Sequence, residues 1–246
     1  MRVIIAAIRS VATYIAVSVY VLFAASLGML LEMIFRWKGV LYILGHGGVR
    51  LGLALCGITV RLAGAENIPL GRAAVYCANH QSNVDPPILF TTLHPRMHIV
   101  YNAEINAIPL LARAFRHGGF VPIERRNKEA AMRSLEAGAR SIQAGNSFLI
   151  FPEGTRSKDA EMLPFKKGGF LMALKAQAPI VPVAISGGRD AMQRGSRIIR
   201  PVHVSIRVGA PIDTAGMQMS DRDALIAQVR ERIEALLAEG PVRAEQ

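Results

Sequence analysis

Cysteine, aromatic residues and acidic side chains are all scarce in this sequence. Its 246 residues include only two cysteines, Cys56 and Cys77, which excludes a disulfide scaffold and a cysteine-built zinc site and suits a reducing compartment. Aromatic residues make up 6% of the chain and do not interleave with basic residues, which argues against nucleic-acid binding. The 18 acidic residues stand against 29 Lys and Arg, a formal net charge of +11. That excess indicates a partner that carries phosphate: an anionic membrane, a phosphorylated substrate or nucleic acid.

Charged residues are also absent from one long apolar run near the N-terminus. Residues 11–31 contain none, and a helix of this length rises about 30 Å, enough to cross the hydrocarbon core of a membrane. A second apolar stretch, residues 40–60, is interrupted by His46 and Arg50, so it suits an interfacial helix or the return arm of a hairpin. We predict that residues 1–60 form a hydrophobic membrane anchor, as one span or a helical hairpin. A cleaved signal peptide and a buried core helix are the alternatives.

From residue 61 onward, short β-rich runs alternate with segments of helical periodicity. The candidate strands are Ala73–Cys77, Ile99–Tyr101, Phe120–Ile123, Phe148–Phe151, Ile180–Ile185 and Val202–Val208. Helices are predicted after Asn127 and Ser220, and they end before Gly145 and Gly240. This alternation predicts an α/β domain over residues 61–246, with a mostly parallel central sheet flanked by helices. In such sheets, functional sites form at the carboxyl ends of the strands.

One polar segment follows the first candidate strand and contains a histidine and an aspartate. If His80 lies in a turn and a helix begins at Pro86, the carboxylate of Asp85 can fold back onto the imidazole. That bond would fix the ring tautomer and leave Nε2 free as a general base. Loop amides near the helix start would then be candidate oxyanion donors. The alternative is that Asp85 only caps the helix and His80 is an ordinary loop residue.

A second polar segment, residues 151–157, follows another candidate strand and reads Phe-Pro-Glu-Gly-Thr-Arg-Ser. The planar fork of Arg156 suits a phosphate, and the carboxylate of Glu153 accepts hydroxyl protons. Lys166 follows shortly before a predicted helix N-terminus, which also attracts anions. The alternative is a polar turn with solvated charges. In another strand, Pro182 indicates an edge position or a bulge.

Taken together, four segments resemble the conserved blocks of the glycerolipid acyltransferase family, in particular the bacterial 1-acylglycerol-3-phosphate acyltransferases. The matching segments, in chain order, are Asn79–Asp85 (N-H-x-x-x-x-D), Gly119–Arg125 (G-x-x-x-I-x-R), Phe151–Ser157 (F-P-E-G-T-R-S) and the apolar proline block Ile180–Ile185. The resemblance covers roughly residues 60–210, and the N-terminal apolar segment is similar to the family's membrane-binding motif. It implies transfer of a fatty acyl group from a thioester to the sn-2 hydroxyl of 1-acylglycerol 3-phosphate, which gives phosphatidic acid.

The resemblance also implies roles for individual residues. His80 would be the general base and Asp85 would orient it. The residues implied to bind the glycerol phosphate are Arg125, Glu153, Gly154, Thr155, Arg156 and Lys166. Those implied to support the site are Asn79, Gly119, Pro152 and Pro182. One departure is Asn102, where family members often carry a lysine, and it points to another lyso-lipid or glycerol 3-phosphate as the alternative acceptor.

The remaining expectations concern partners and place. No cofactor is implied beyond acyl-CoA or acyl carrier protein as the donor substrate. No metal site is predicted, because Pro95 separates His94 from His98 and no Cys or carboxylate lies at ligand spacing. The expected partners are anionic membrane lipids, the acyl carrier and the lysophospholipid, with no nucleic acid. The expected location is the bacterial inner membrane with the catalytic domain on the cytoplasmic side. The rival from another class is a non-catalytic, membrane-anchored protein that binds anionic lipid or nucleic acid.

Overall fold

Two long apolar helices form the N-terminal part of the chain. The computed structural model describes residues 2–37, 39–124, 128–157 and 161–243. Helix α1 spans Arg2–Phe35 and helix α2 spans Val40–Cys56. They run antiparallel as a hairpin, because the ring of Tyr20 on α1 packs against Gly48 on α2 and contacts recur along both helices. Among the described helices, only α1 is long and apolar enough to cross a membrane.

A seven-stranded sheet follows the hairpin. Its strands are β1 (Thr59–Ala63), β2 (Val75–Ala78), β3 (Met97–Asn102), β4 (Val121–Ile123), β5 (Ser147–Ile150), β6 (Ile180–Ser186) and β7 (His203–Val208). The strand order is β1-β7-β6-β2-β5-β3-β4, and every pair is parallel except β6 with β7. The predicted α/β class with a mostly parallel sheet is confirmed.

Helices cover both faces of the sheet. They are α3 (Asp85–Thr92), α4 (Pro109–His117), α5 (Lys128–Gln143), α6 (Gly168–Ala176), α7 (Gly188–Ala191) and α8 (Arg222–Ala238). One core cluster packs α2 and α3 against the sheet, with Tyr76, Ile88 and Leu89 fully buried. The other packs α5, α6 and α8 against the opposite face around Phe148 and Phe170. Because both faces are covered, the central strands are continuous apolar runs, as expected for a parallel sheet.

The prediction that Pro182 marks an edge position or a bulge is wrong. It lies in β6, which is an interior strand paired with β2 on one side and β7 on the other. The proline is tolerated because the ladder with β7 begins one residue later, at Val183 paired with Val208. The missing N–H of Pro182 therefore falls at the end of that ladder, where its carbonyl accepts from the N–H of Gly209 at 2.9 Å.

The strand register brings the two polar segments of the sequence to one edge. Strands β2 and β5 are adjacent and parallel, with Cys77 opposite Ile150. The chain therefore leaves both strands on the same side of the sheet, into residues 79–85 and 151–157. Strand β6 flanks β2 on the other side, so the turn that carries Gly188 reaches the same edge.

Candidate active site

A histidine and an aspartate form a hydrogen-bonded pair at this edge. Nδ1 of His80 donates to Oδ2 of Asp85 at 3.0 Å. The same oxygen accepts the backbone N–H groups of Gln81 and Ser82, each at 2.7 Å. Asp85 is the first residue of α3, yet within the described residues its carboxylate makes no capping bond to that helix. It turns back onto the loop that carries His80.

The second oxygen of Asp85 is buried against glycine backbone. Within the described residues, Oδ1 has no hydrogen-bond partner, and the Asp85 side chain is fully buried. Gly188 lies so close that any Cβ at this position would overlap Oδ1. The turn after β6 thus has room for the carboxylate only because residue 188 lacks a side chain.

The imidazole of His80 is held between this carboxylate and an aromatic ring. It stacks on Phe151 with ring centroids 4.2 Å apart, and 14% of its side chain is exposed. Nε2 has no partner among the described residues. Because Asp85 occupies Nδ1, the free nitrogen is the one available to take a proton from a substrate.

Glu153 holds the backbone of the same loop. Its Oε1 accepts the N–H of His80 at 2.7 Å, and its Oε2 accepts the N–H of Leu163 at 2.9 Å. Only 2% of the residue is exposed. Burial raises the pKa of this carboxyl, and its hydrogen bonds to the two backbone amides partly oppose that rise. The structure therefore places Glu153 beneath the site, in contact with backbone.

The rest of the Phe151–Ser157 loop lies beside a lysine. Gly154 has φ of 68°, and a Cβ on it would lie 2.9 Å from Nζ of Lys166. The carbonyl of Pro152 accepts the N–H of Lys166 at 2.7 Å. Thr155 and Lys166 are exposed and Arg156 is half-buried. These predicted phosphate-binding residues thus come together around one loop.

Asn79 and Gly119 have structural contacts. The side-chain amide of Asn79 makes two bonds to the backbone of Ile185, at 2.9 Å and 2.8 Å, and so ties β2 to β6 just before His80. Gly119 has φ of 76°, and its missing Cβ leaves room for the ring of His98, whose Cε1 would lie 2.5 Å away. Arg125, the remaining predicted phosphate ligand, lies outside the described residues.

An apolar cavity of about 830 Å³ opens beside the loop that carries His80. The sequence patterns did not single out its walls, since the helix residues that line it are as apolar as those that face outward. The loop contributes Asn83 and Val84, α3 contributes Pro86, and α1 contributes side chains from Thr13 to Ala25. That stretch of α1 covers about 18 Å. The volume lies within the usual range for ligand pockets.

Metal ligands do not converge in the described part of the chain, where no group of three or more His, Cys, Asp or Glu is placed to hold an ion. His98 is buried among aromatic rings, and burial lowers its pKa to about 4.

Known proteins resemble the chain over almost its whole length. The family model described as Acyltransferase matches residues 59–186. A 1-acyl-sn-glycerol-3-phosphate acyltransferase of Limnanthes douglasii is 28% identical over 223 residues, which cover 89% of this chain and 79% of the relative. The 1-acyl-sn-glycerol-3-phosphate acyltransferase alpha of Bos taurus is 31% identical over 177 residues, 72% of this chain and 62% of the relative.

A solved structure shares the fold. The crystal structure of the 1-acyl-sn-glycerophosphate (LPA) acyltransferase PlsC from Thermotoga maritima matches with a TM-score of 0.85 at 25% identity, over 99% of this chain and 100% of that one. The matched family model and the shared fold identify the class of protein as an acyltransferase. The chain belongs to the glycerolipid acyltransferase family, which confirms the predicted resemblance, and it is an O-acyltransferase.

Proposed function

We propose that the enzyme transfers a fatty acyl group from an acyl thioester to the sn-2 hydroxyl of 1-acylglycerol 3-phosphate, giving phosphatidic acid for phospholipid synthesis. The observation that carries this proposal is the His80–Asp85 pair, at one sheet edge with the Phe151–Ser157 loop and beside an apolar cavity. Relatives named for this acceptor support it.

In the proposed mechanism, His80 acts as the general base. Its Nε2 takes the proton of the acceptor hydroxyl while the hydroxyl oxygen attacks the thioester carbonyl carbon. The tetrahedral intermediate collapses by breaking the carbon–sulfur bond, and the imidazolium returns the proton to the thiolate. The acyl group therefore passes directly between two bound substrates. Asp85 keeps Nε2 in the acceptor tautomer and stabilises the imidazolium.

The oxyanion donor is the N–H of Asn83 in this proposal. The amides of Gln81 and Ser82 already donate to Asp85, so they are not free to bind a developing oxyanion. The N–H of Asn83 has no hydrogen-bond partner among the described residues, and Asn83 lines the cavity. A preorganised backbone donor is the usual way to stabilise such a charge.

Cations around the second loop would bind the acceptor phosphate. Arg156 and Lys166 flank Gly154 and Thr155, and a glycine here allows close approach of the backbone. We keep Arg125 in this set on the strength of its sequence motif. Glu153 takes a positioning role, since both oxygens bond backbone amides.

The cavity would hold the acyl chain of the donor. The acceptor is a lipid whose tail can stay in the membrane, whereas a chain delivered by acyl-CoA or acyl carrier protein needs cover from water. Side chains of α1, α2 and α4 line the cavity and expose almost no polar surface, so they would shield the acyl chain from water. No cofactor takes part in this scheme.

The helical hairpin would lie in one leaflet and not cross the membrane. The α/β domain contacts α1 near both ends, through Ser10 with Ile199 and through Glu32 with His117. These points are about 33 Å apart along the helix, so a crossing α1 would place part of the domain on each side of the membrane.

Exposed apolar side chains run along the outer side of α1, among them Ile8, Ile15, Val19, Phe23 and Leu30. Arg9 and Arg50 lie on the two hairpin helices and Arg36 follows α1, and such cations suit anionic lipids. We place the enzyme at the bacterial inner membrane with its active site facing the cytoplasm.

A second candidate acceptor follows from Asn102. Its side chain accepts the N–H of Glu104 at 3.4 Å at the end of β3, so this position provides a turn cap where family members often carry a cation. One phosphate contact fewer would suit another lyso-lipid, such as a lyso-ornithine lipid.

An acceptor panel tests the proposal. Purified enzyme would receive an acyl-CoA with lysophosphatidate, glycerol 3-phosphate or a lyso-aminolipid, and products would be separated by mass. We expect acylated product chiefly from lysophosphatidate. Product from another acceptor alone would support the second candidate, and no product from any acceptor would refute both.

A further inference from the structure

Four arginines lie in a segment that the proposed mechanism does not use. Residues 189–200, here the arginine segment, include α7 and the chain that leads toward β7, and they carry Arg189, Arg194, Arg197 and Arg200. Arg194 and Arg197 are exposed. Within the described part of the chain, none of the four forms an ion pair with a carboxylate. Arginines held beside a catalytic loop without a carboxylate are free to bind an external anion.

One end of the arginine segment is fixed to the catalytic loops. Nη1 of Arg194 donates to the carbonyl of Arg156 at 3.0 Å. The hydroxyl of Ser82 donates to the carbonyl of Met192 at 2.8 Å, and the segment closes on itself where the N–H of Arg200 donates to Ala191 at 2.8 Å. A guanidinium has five N–H donors, so the bond to Arg156 leaves Arg194 able to bind a ligand.

The arginine segment also lines part of the apolar cavity. Arg197 and Met192 line the cavity together with Asn83 of the catalytic loop. The carbonyl of Arg197 accepts the hydroxyl of Tyr14 at 2.9 Å, which fixes this part of the segment to α1. The exposed arginines thus stand between the proposed acyl-chain cavity and the loop that follows β5.

We propose that Arg194 and Arg197 bind phosphate groups of the acyl-thioester donor. This inference rests on the proposed function, because it takes the acyl chain to lie in the cavity with its carbonyl at His80. The thiol carrier must then leave the site over the cavity rim, where the arginine segment lies. Coenzyme A and the prosthetic group of acyl carrier protein both carry phosphate beyond the pantetheine arm, and a guanidinium fork matches phosphate geometry.

Two acyl donors, one with phosphate groups and one without, separate phosphate binding by these arginines from a purely structural role. Transfer to lysophosphatidate would be measured with palmitoyl-CoA and with the palmitoyl thioester of N-acetylcysteamine, which has no phosphate. We expect R197Q and R194Q each to lower kcat/KM for palmitoyl-CoA roughly tenfold. R197Q should leave kcat/KM for the phosphate-free donor unchanged, whereas R194Q also removes the bond to Arg156 and is judged by its larger loss with palmitoyl-CoA than with the phosphate-free donor. R140Q, at an exposed arginine on α5 across the sheet, is the matched control and should change neither value. Equal losses with both donors, or a change confined to the KM of lysophosphatidate, would overturn the proposal.

A lipid headgroup offers the same phosphate chemistry and is separated by vesicle binding. Co-sedimentation with phosphatidylcholine vesicles, with and without phosphatidylglycerol, would be compared for wild type and R197Q. We expect equal binding of the two proteins. If R197Q loses affinity for the anionic vesicles while its donor kinetics stay at the wild-type level, Arg197 binds lipid and the proposal fails.

The test also works if the proposed function is wrong or a variant is unstable. Should wild type acylate none of the acceptors, the proposed function fails, and the donor site is then judged by titration calorimetry with coenzyme A. Weaker binding of coenzyme A by R197Q than by wild type would support the site, and equal Kd values would exclude it. R197K keeps the charge and loses the planar fork, so it replaces R197Q if that variant does not fold. We expect its kcat/KM for palmitoyl-CoA to lie between the values of wild type and R194Q, and a value equal to wild type would exclude the fork as the phosphate ligand.

Discussion

The carboxylate of Glu153 accepts the backbone N–H of His80 at 2.7 Å and so joins the loop after β5 to the loop after β2. A second bond between the same loops runs from the N–H of Ser157 to the carbonyl of His80 at 3.0 Å. The position of the proposed base is therefore fixed from β5 as well as from β2.

Replacing Glu153 with glutamine tests whether that bond positions His80. The new NH2 group would face one of two backbone N–H donors, so one loop must shift. We expect kcat to fall roughly 100-fold with little change in the KM of the acceptor, because small displacements of a base are costly. E136Q, on α5, is the control. A rise in the KM for lysophosphatidate with kcat unchanged would return Glu153 to the predicted role of acceptor ligand.

A methyl group at Gly188 should displace Asp85. G188A places a Cβ where Oδ1 now lies, so the carboxylate must move away from His80 or the turn must shift. We expect a loss of about 1–3 kcal/mol in unfolding free energy, together with a fall in kcat. Steady-state kinetics and thermal unfolding would measure both. G71A, where a Cβ meets open space, should match wild type, and a fully active G188A would show that the contact is not needed.

Buried His98 predicts acid sensitivity of the fold. Burial lowers its pKa from 6.5 to about 4, so the unfolded chain binds a proton at a pH where the folded chain does not. The stability contributed by the neutral ring is complete above pH 6.5 and falls by up to about 3 kcal/mol as the pH drops to 4. The buried Glu153, whose pKa is raised by burial, acts in the opposite direction as the pH falls toward 4.5.

The variant H98F isolates the contribution of His98 to the pH dependence of stability. It keeps a ring against Gly119 and Phe148 and removes the titrating nitrogen. We expect thermal midpoints of H98F to depend less on pH between 6.5 and 4 than those of wild type. Identical slopes for the two proteins would assign the acid sensitivity to other groups.

Filling the cavity away from His80 should change chain-length preference. Ala25 lines the cavity from α1, about 18 Å along the helix from Thr13 and its neighbour Tyr14, which bonds to Arg197. In A25F the ring would occupy the distal part, so transfer of long acyl chains should fall at least tenfold relative to short ones. V19F, at a half-exposed α1 position outside the cavity lining, is the control. A parallel loss for all chain lengths would argue against the cavity as the acyl site.

Much of the architecture follows from local pattern. Six of the seven strands were predictable because each is a short apolar run between turn residues, and the resemblance of Asn79–Asp85 and Phe151–Ser157 identified the family. Strand β1 was missed because it continues directly from the apolar stretch that forms α2, and its partner β7 lies about 140 residues away in sequence. Long-range pairing of this kind leaves no local signal.

The site was predictable in composition but not in contacts. The sequence could place Glu153 near a substrate, yet only the fold shows both of its oxygens on backbone amides. Likewise, Gly188 and the arginine segment have no motif of their own, since their relation to Asp85 and Arg156 depends on the position of β6 beside β2. Contacts between segments 38 to 103 residues apart in sequence determine these roles.

Acyl transfer by H80A tests directly whether His80 is the general base. The purified variant would be assayed with palmitoyl-CoA and lysophosphatidate, beside thermal unfolding and vesicle co-sedimentation. If His80 is the general base, transfer falls by a factor of roughly 100 to 10,000 or more, while folding and membrane binding stay at wild-type levels. Transfer within a few-fold of wild type by a folded, vesicle-bound H80A would show that His80 is not the general base.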